Sequence, residues 1–285
     1  MPQRPIGFFD SGEGGLTVAR AVAELLPGEE ILYACDSAHF PYGPRPLPEV
    51  RRFFLRFAQF FADQGCKLVV IACNTATAAV LLSGPPPELP LPVLGVVEPG
   101  ARAAVAATRN GRIGVVATQA TVGAGVYPRV IAGLAPGARV VQQACPVLVT
   151  LAEQGVVESP EVREEVRRCL EPLLAEGIDT LVLGCTHLPH MQKVIGEVVG
   201  PEVRLVDPGM ATAREVREYL ARRGLLNPAA SGGRLRFYTT GDPDRFVRVA
   251  RLLWPGRVHR ADHLPLWSTE APPAPSPTAG GNPGG

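Results

Sequence analysis

Along this chain, short apolar runs rich in Val, Ile and Leu alternate with longer stretches in which apolar residues recur every three to four positions. The first kind reads as strands and the second as amphipathic helices, and a strand-helix-strand alternation makes neighbouring strands parallel. Strands are predicted at 6–9, 31–35, 68–73, 93–97, 113–116, 139–142, 181–184 and 203–206, and helices at 16–26, 50–64, 101–108, 162–174 and 211–223. The fold class is therefore α/β, and 285 residues suffice for two lobes, each with a mainly parallel sheet flanked by helices. Glu98-Pro99-Gly100 and Asp207-Pro208-Gly209 read as crossing points between the lobes, because Pro and Gly punctuate both. The expected division is 1–97 with 209–269 as a first lobe, 98–208 as a second, and 270–285 as a disordered tail whose Pro/Gly-rich composition has little to bury.

Charge and cysteine usage narrow the function classes. The formal net charge of +1 arises from interspersed signs, which gives no electrostatic reason to expect nucleic acid or an anionic membrane. No segment approaches about 18 consecutive apolar residues and no basic-then-apolar leader opens the chain, so a cytoplasmic address is expected. The six cysteines form no CxxC pair in a chain too long to need a disulfide scaffold, and all six are expected as reduced thiols. Cys35, Cys66, Cys145 and Cys169 need no role beyond that of small buried hydrophobes.

Cys73 and Cys185 differ from these four. Leu68-Val69-Val70-Ile71-Ala72-Cys73-Asn74-Thr75 and Leu181-Val182-Leu183-Gly184-Cys185-Thr186-His187 each run a hydrophobic strand into a thiol flanked by small hydrogen-bonding residues. Ligands of open α/β sheets bind at the carboxyl ends of strands, so the repeat suggests one pocket with a thiol on either side. Racemisation beside a carboxylate needs that arrangement, a base on one face and an acid on the other. An unperturbed thiol has a pKa near 8.5 and is only about a few per cent thiolate at neutral pH, so neighbours must assist. Asp10, at the end of the first strand, is the candidate beside Cys73, and His187 the candidate beside Cys185. The competing reading of each motif alone is a buried structural cysteine.

Other motifs are weaker. Phe9-Asp10-Ser11-Gly12-Glu13-Gly14-Gly15-Leu16 lacks the Lys-Ser/Thr of a P-loop and the last glycine of G-x-G-x-x-G, which disfavours nucleotide binding. It leaves a Gly-rich turn whose N–H groups and Ser11 can hold a carboxylate, or in which Asp10 or Ser11 merely caps a helix. Pro41-Tyr42-Gly43 is a turn that can present backbone donors to an anion. Cys185-x-His187-x-x-His190 lacks further ligands for zinc, so no metal is expected. Neither of the two lysines, Lys67 and Lys193, ends a strand where a pyridoxal Schiff base would form, and no cofactor is expected.

Taken together, these segments resemble the glutamate racemases of the cofactor-independent aspartate/glutamate racemase family. The likeness runs through Ile6 to Thr17, Pro41-Tyr42-Gly43-Pro44, Ala72 to Ala78, Val97 to Gly100, Ala144-Cys145-Pro146 and Leu183 to His187, spanning about residues 4–260. It implies two pseudo-symmetric lobes with the site between them, Cys73 exchanging the proton of D-glutamate and Cys185 that of L-glutamate, assisted by Asp10 and His187. It implies glutamate contacts from Asp10, Ser11, Tyr42, Gly43, Asn74, Thr75, Thr118, Thr186 and His187, a supporting acid at Glu153, a role in peptidoglycan synthesis, and compatibility with a homodimer. Glu13, His39 and Leu188 depart from the family pattern, and Thr150 replaces a common proline. The alternatives are a racemase for aspartate or another acidic amino acid, and a non-catalytic binding protein on the same fold.

Overall fold

The computed structural model describes residues 1–82, 89 and 91–267; the predicted tail at 270–285 lies outside them. In chain order the strands are β1 (Ile6–Asp10), β2 (Ile31–Cys35), β3 (Leu68–Ile71), β4 (Val93–Gly95), β5 (Arg112–Ala117), β6 (Arg139–Ala144), β7 (Thr180–Gly184), β8 (Arg204–Val206), β9 (Leu235–Thr239) and β10 (Asp262–His263). The helices are α1 (Leu16–Leu25), α2 (Leu47–Asp63), α3 (Asn74–Leu82), α4 (Val97–Ala107), α5 (Gln119–Ala124), α6 (Val126–Leu134), α7 (Pro146–Glu153), α8 (Pro160–Ala175), α9 (Gln192–Val199), α10 (Pro208–Arg222) and α11 (Pro243–Leu253). Every strand pairing is parallel, as the βα alternation requires.

Two sheets form. One has the order β10-β9-β2-β1-β3-β4 and the other β6-β5-β7-β8. Within both, the second strand lies beside the first, the third follows on its other side, and the fourth is outermost, so β1 corresponds to β5 and β3 to β7. This order reverses direction between first and third strands, which opens a crevice at their carboxyl ends in each sheet. Cys73 and Cys185 follow the two corresponding third strands.

Both faces of each sheet are covered, which is why the strands read as continuous apolar runs. Phe8 faces Leu16, Tyr33 and Phe246, whereas Phe9 faces Tyr42, Phe54, Phe57 and Phe61. Phe9 and Phe57 have ring centroids 4.7 Å apart, a contact worth about 0.5–1.5 kcal/mol beyond area burial. The second sheet is clothed in the same way by α8 and α9 on one face and by α4 and α6 on the other.

Several element boundaries differ from the expected ones. The third strand ends at Ile71 rather than at Cys73, because Cys73 begins the turn into α3. Glu98-Pro99-Gly100 lies inside the first turn of α4, where Pro is tolerated because its missing N–H has no helical partner to lose. Asp207 instead caps α10, its Oδ1 accepting the Gly209 N–H at 2.8 Å. Strands β9 and β10 were not read from sequence: β9 carries the charged Arg236 and β10 has two residues, too short to show a period.

The expectation of six reduced thiols is also overturned. Cys145 and Cys169 form a disulfide with an S–S distance of 2.08 Å, joining the turn before α7 to α8. Their separation of 24 residues makes no local motif, and only the packing of α8 behind β6 and α7 brings their Cα atoms to 6.0 Å, within bridging range. Cys35, Cys66, Cys73 and Cys185 are free and buried.

Candidate active site

The crevices of the two sheets face each other across one cleft of about 490 Å³. Ser11, the 40–44 turn, Cys73, Asn74 and Thr75 line it from one side; Thr118, Gln119, Pro146, Val149, Thr150, Cys185, Thr186 and His187 line it from the other. Close contacts join the sides. The Thr75 and Thr118 hydroxyls are 2.9 Å apart, the Ala120 N–H donates to the Gly43 carbonyl at 3.1 Å, and the Tyr127 hydroxyl donates to Asn74 Oδ1 at 2.7 Å.

Cys73 sits where β3 turns into α3. Its sulfur accepts the Ala76 N–H at 3.5 Å, as a capping side chain would, and its thiol points at Ser11 Oγ at 3.7 Å. A helix N-terminus favours a thiolate. Burial nonetheless pushes the Cys73 thiol well up, with the Asp10 carboxylate adding to the rise and the Ala76 amide and Ser11 opposing it. Asp10 lies beneath the cleft and does not line it. It is fully buried; Oδ2 accepts the Gly15 N–H at 2.7 Å and the Thr186 hydroxyl at 3.4 Å, while Oδ1 has no partner in hydrogen-bonding geometry among the described residues. Burial pushes its carboxyl up to about 7 against the pull of the Gly15, Ser11 and Gly12 amides.

Cys185 follows β7 and precedes a short 3-10 turn, Leu188–Met191. His187 Nδ1 lies 3.7 Å from its sulfur. Burial pushes the Cys185 thiol up to about 12, opposed by the backbone amide of His187 and reinforced by the charges of Asp10 and Glu153. Burial drives the His187 imidazole down to about 4, and neighbouring His190 adds to this, so the ring is neutral at neutral pH. The neutral ring leaves its Nδ1 facing the sulfur, while burial weakens it as a base.

The Gly-rich turn is the hinge of this geometry. A Cβ on Gly14 would lie 2.7 Å from Thr186 Oγ1 and 3.1 Å from the His187 ring, and one on Gly15 would lie 2.6 Å from Asp10 Cβ. Only glycine lets the turn pass between the carboxyl and the opposing histidine.

The sequence of this chain matches the family model described as Asp/Glu/Hydantoin racemase over residues 14–216. The chain belongs to that racemase family. It is therefore an isomerase by class. A glutamate racemase of Symbiobacterium thermophilum is 64% identical over 94% of this chain and 97% of its own length. A crystal structure of a glutamate racemase isoform from Bacillus anthracis superposes with a TM-score of 0.87 at 37% identity, covering 93% of this chain and 98% of that one. A Francisella tularensis glutamate racemase solved with D-glutamate gives 0.83 at 30% identity, over 93% and 99%. The two-sheet α/β architecture is that of these racemases.

Ten sequence candidates of this racemase come together on the cleft: Ser11, Tyr42, Gly43, Cys73, Asn74, Thr75, Thr118, Cys185, Thr186 and His187. Glu153 does not reach it. Its Oε1 lies 3.3 Å from an Arg245 nitrogen, at the far end of α7. Sequence reasoning missed Phe40, Gln119, Pro146, Val149 and Thr150 as lining residues. The Ala144-Cys145-Pro146 segment did stand out, but nothing in it marked α7 as a wall of the cleft. Both lysines lie elsewhere: Lys67 is paired with Glu29 and Lys193 with Glu158. Among the described residues no three His, Cys, Asp or Glu side chains converge as metal ligands, and no helix is long and apolar enough to cross a membrane.

Proposed function

We propose that this chain interconverts L- and D-glutamate without a cofactor, by proton exchange between Cys73 and Cys185. The observation that carries the reading is the placement of two free thiols after corresponding strands of two sheets, on opposite sides of one cleft. With L-glutamate bound, Cys185 as thiolate takes the Cα proton and the Cys73 thiol delivers its own to the opposite face, leaving D-glutamate and a Cys73 thiolate. The reverse reaction uses the same groups in opposite roles. Asp10 relays the proton of Cys73, and His187 that of Cys185. Glu153 acts on Cys185 through its charge rather than by contact.

The cleft supplies what a dicarboxylate needs. Among the described residues the Tyr42 and Gly43 amides have no protein acceptor, and the first amides of α3, at Asn74 and Thr75, have none within their helix. These donors and the hydroxyls of Ser11, Thr75, Thr118 and Thr186 hold carboxylates without a metal or a basic side chain. We divide the molecule at the crossing helices into a lobe of 1–97 with 209–269 and a lobe of 98–208. Packing supports this, since α4 packs on β7 and β8 while α10 packs on α1. We place the reaction in the cytoplasm, where D-glutamate would feed peptidoglycan synthesis. The test is a chiral assay of L-glutamate with dialysed enzyme: D-glutamate should accumulate to an equimolar mixture, L-aspartate should turn over far more slowly, and no activity on glutamate would overturn the reading.

A further inference from the structure

Tyr42 is buried, and its hydroxyl points away from the cleft. It donates to Asp36 Oδ2 at 2.7 Å. Asp36 is fully buried where β2 ends and does not line the cleft, yet it gathers donors from three separate parts of the chain. Its Oδ1 accepts the Thr240 hydroxyl at 2.7 Å and the Trp267 Nε1–H at 2.8 Å, and His39 Nδ1 lies 3.0 Å from Oδ2. Four partners on one carboxyl group match the roughly four acceptor sites of a carboxylate. Such a saturated buried network fixes the geometry of every member.

Trp267 reaches this point from the far end of the described chain. Its ring stands edge-on to His39 at 4.6 Å and to Phe53 at 5.2 Å, under the Arg56 guanidinium at 5.4 Å. His39 stacks on Phe53 at 4.3 Å and so completes the clamp. The Thr240 hydroxyl also accepts the Ala38 N–H at 3.1 Å, and the His39 carbonyl accepts Arg45 Nε at 2.7 Å. The start of the 38–45 segment is thereby tied to Thr240 directly, and its end is tied back to His39.

We propose that Asp36, held from behind by Thr240 and Trp267, is the positioning residue that sets the Tyr42-Gly43 turn against the substrate. The inference rests on the reading of that turn as a substrate-binding wall. A group that only holds a binding wall changes affinity for both enantiomers alike and leaves proton transfer untouched.

Two measurements on Trp267→Phe, Thr240→Val and Thr240→Ser test it. Trp267→Phe keeps an aromatic ring against Phe53 and removes one donor; Thr240→Val removes the hydroxyl and Thr240→Ser retains it. In amide hydrogen exchange on the ligand-free enzyme, Trp267→Phe and Thr240→Val should speed exchange in 37–45 and leave 139–144 unchanged. In kinetics both should raise KM for L- and D-glutamate by about 3–10-fold with kcat within about twofold, as loss of uniform binding requires, and Thr240→Ser should behave as wild type. Unchanged exchange in 37–45 overturns the coupling of the hub to the turn. Faster exchange with unchanged KM overturns the proposal from the other side, by removing the turn from the substrate wall. A fall in kcat with KM intact also overturns it, because the hub would then be acting on the chemistry.

Discussion

The two halves of the cleft repeat one strand order and one thiol position but surround the thiols differently. Cys73 has a helix N-terminus at its sulfur and a buried carboxyl below it, whereas Cys185 has only a short 3-10 turn and a neutral imidazole. Both thiols are raised by burial. The difference therefore lies in what stands beside each thiol: a carboxyl group raised to about 7 on one side, an imidazole driven down to about 4 on the other. An enzyme whose reaction has an equilibrium constant of one needs a base on each side, but the two bases need not be alike. Pseudo-symmetry of the fold supplied the positions, and local burial set the partners.

The comparison breaks first if either thiol is dispensable. Cys73→Ala and Cys185→Ala should each abolish racemisation, since general acid–base groups contribute about 10²–10⁴-fold. Either variant retaining more than about a tenth of wild-type turnover would remove that cysteine from the exchange, because a tenfold loss falls below that range.

Gly14→Ala should have the next largest effect. The added Cβ would stand 2.7 Å from Thr186 Oγ1 and 3.1 Å from the His187 ring, so it displaces the Cys185 side and spares Cys73. A misplacement of about 1 Å can cost about 10²-fold, and a fall of that order in kcat/KM with an unchanged circular dichroism spectrum is expected. Wild-type rates in this variant would mean that the Thr186-His187 segment yields freely.

Asp10→Asn and His187→Asn sharpen the comparison by isotope effect. Each must lower kcat/KM equally in both directions, so the α-deuterium effect is the discriminating quantity. Slowing transfer at Cys73 through Asp10→Asn should raise the effect with deuterated D-glutamate and raise it less, or lower it, with deuterated L-glutamate. His187→Asn should give the opposite pattern. Equal changes from both enantiomers, with only KM raised, would make Asp10 a substrate holder rather than a partner of the thiol.

The smallest effects are on stability, and they carry opposite signs. Asp10 keeps its proton in the folded state up to about 7, whereas the unfolded carboxyl loses it near 3.8, so its contribution to stability falls as pH rises between those values. His187 resists protonation down to about 4 against 6.5 unfolded, so its contribution falls as pH drops through that window. Melting temperatures from pH 4 to 8 should show the Asp10→Asn variant gaining on wild type toward pH 8 and the His187→Asn variant gaining toward pH 4. Parallel curves would contradict the assignment of the two environments.

Much of this was legible in the sequence because it depends on local pattern. The βα alternation fixed parallel sheets, and a thiol after an apolar run fixed Cys73 and Cys185 at strand ends. What was hidden depends on long-range packing. The Cys145–Cys169 disulfide joins two cysteines 24 residues apart. The approach of α7 to the cleft and the placing of Glu153 on Arg245 arise from how the sheets face each other, which no periodicity encodes. The hub at Asp36 links residues up to 231 positions apart and left no motif to read.

The central claim, proton delivery from one side and removal on the other, is tested most directly by running unlabelled L-glutamate in deuterated water and stopping below about a tenth of conversion. Two flanking thiols act as separate acid and base, so the D-glutamate formed should carry deuterium at Cα while the recovered L-glutamate remains protiated. A recovered L-glutamate pool that gains deuterium as fast as product forms, or a product that keeps the original proton, would show a single base serving both faces and contradict the account.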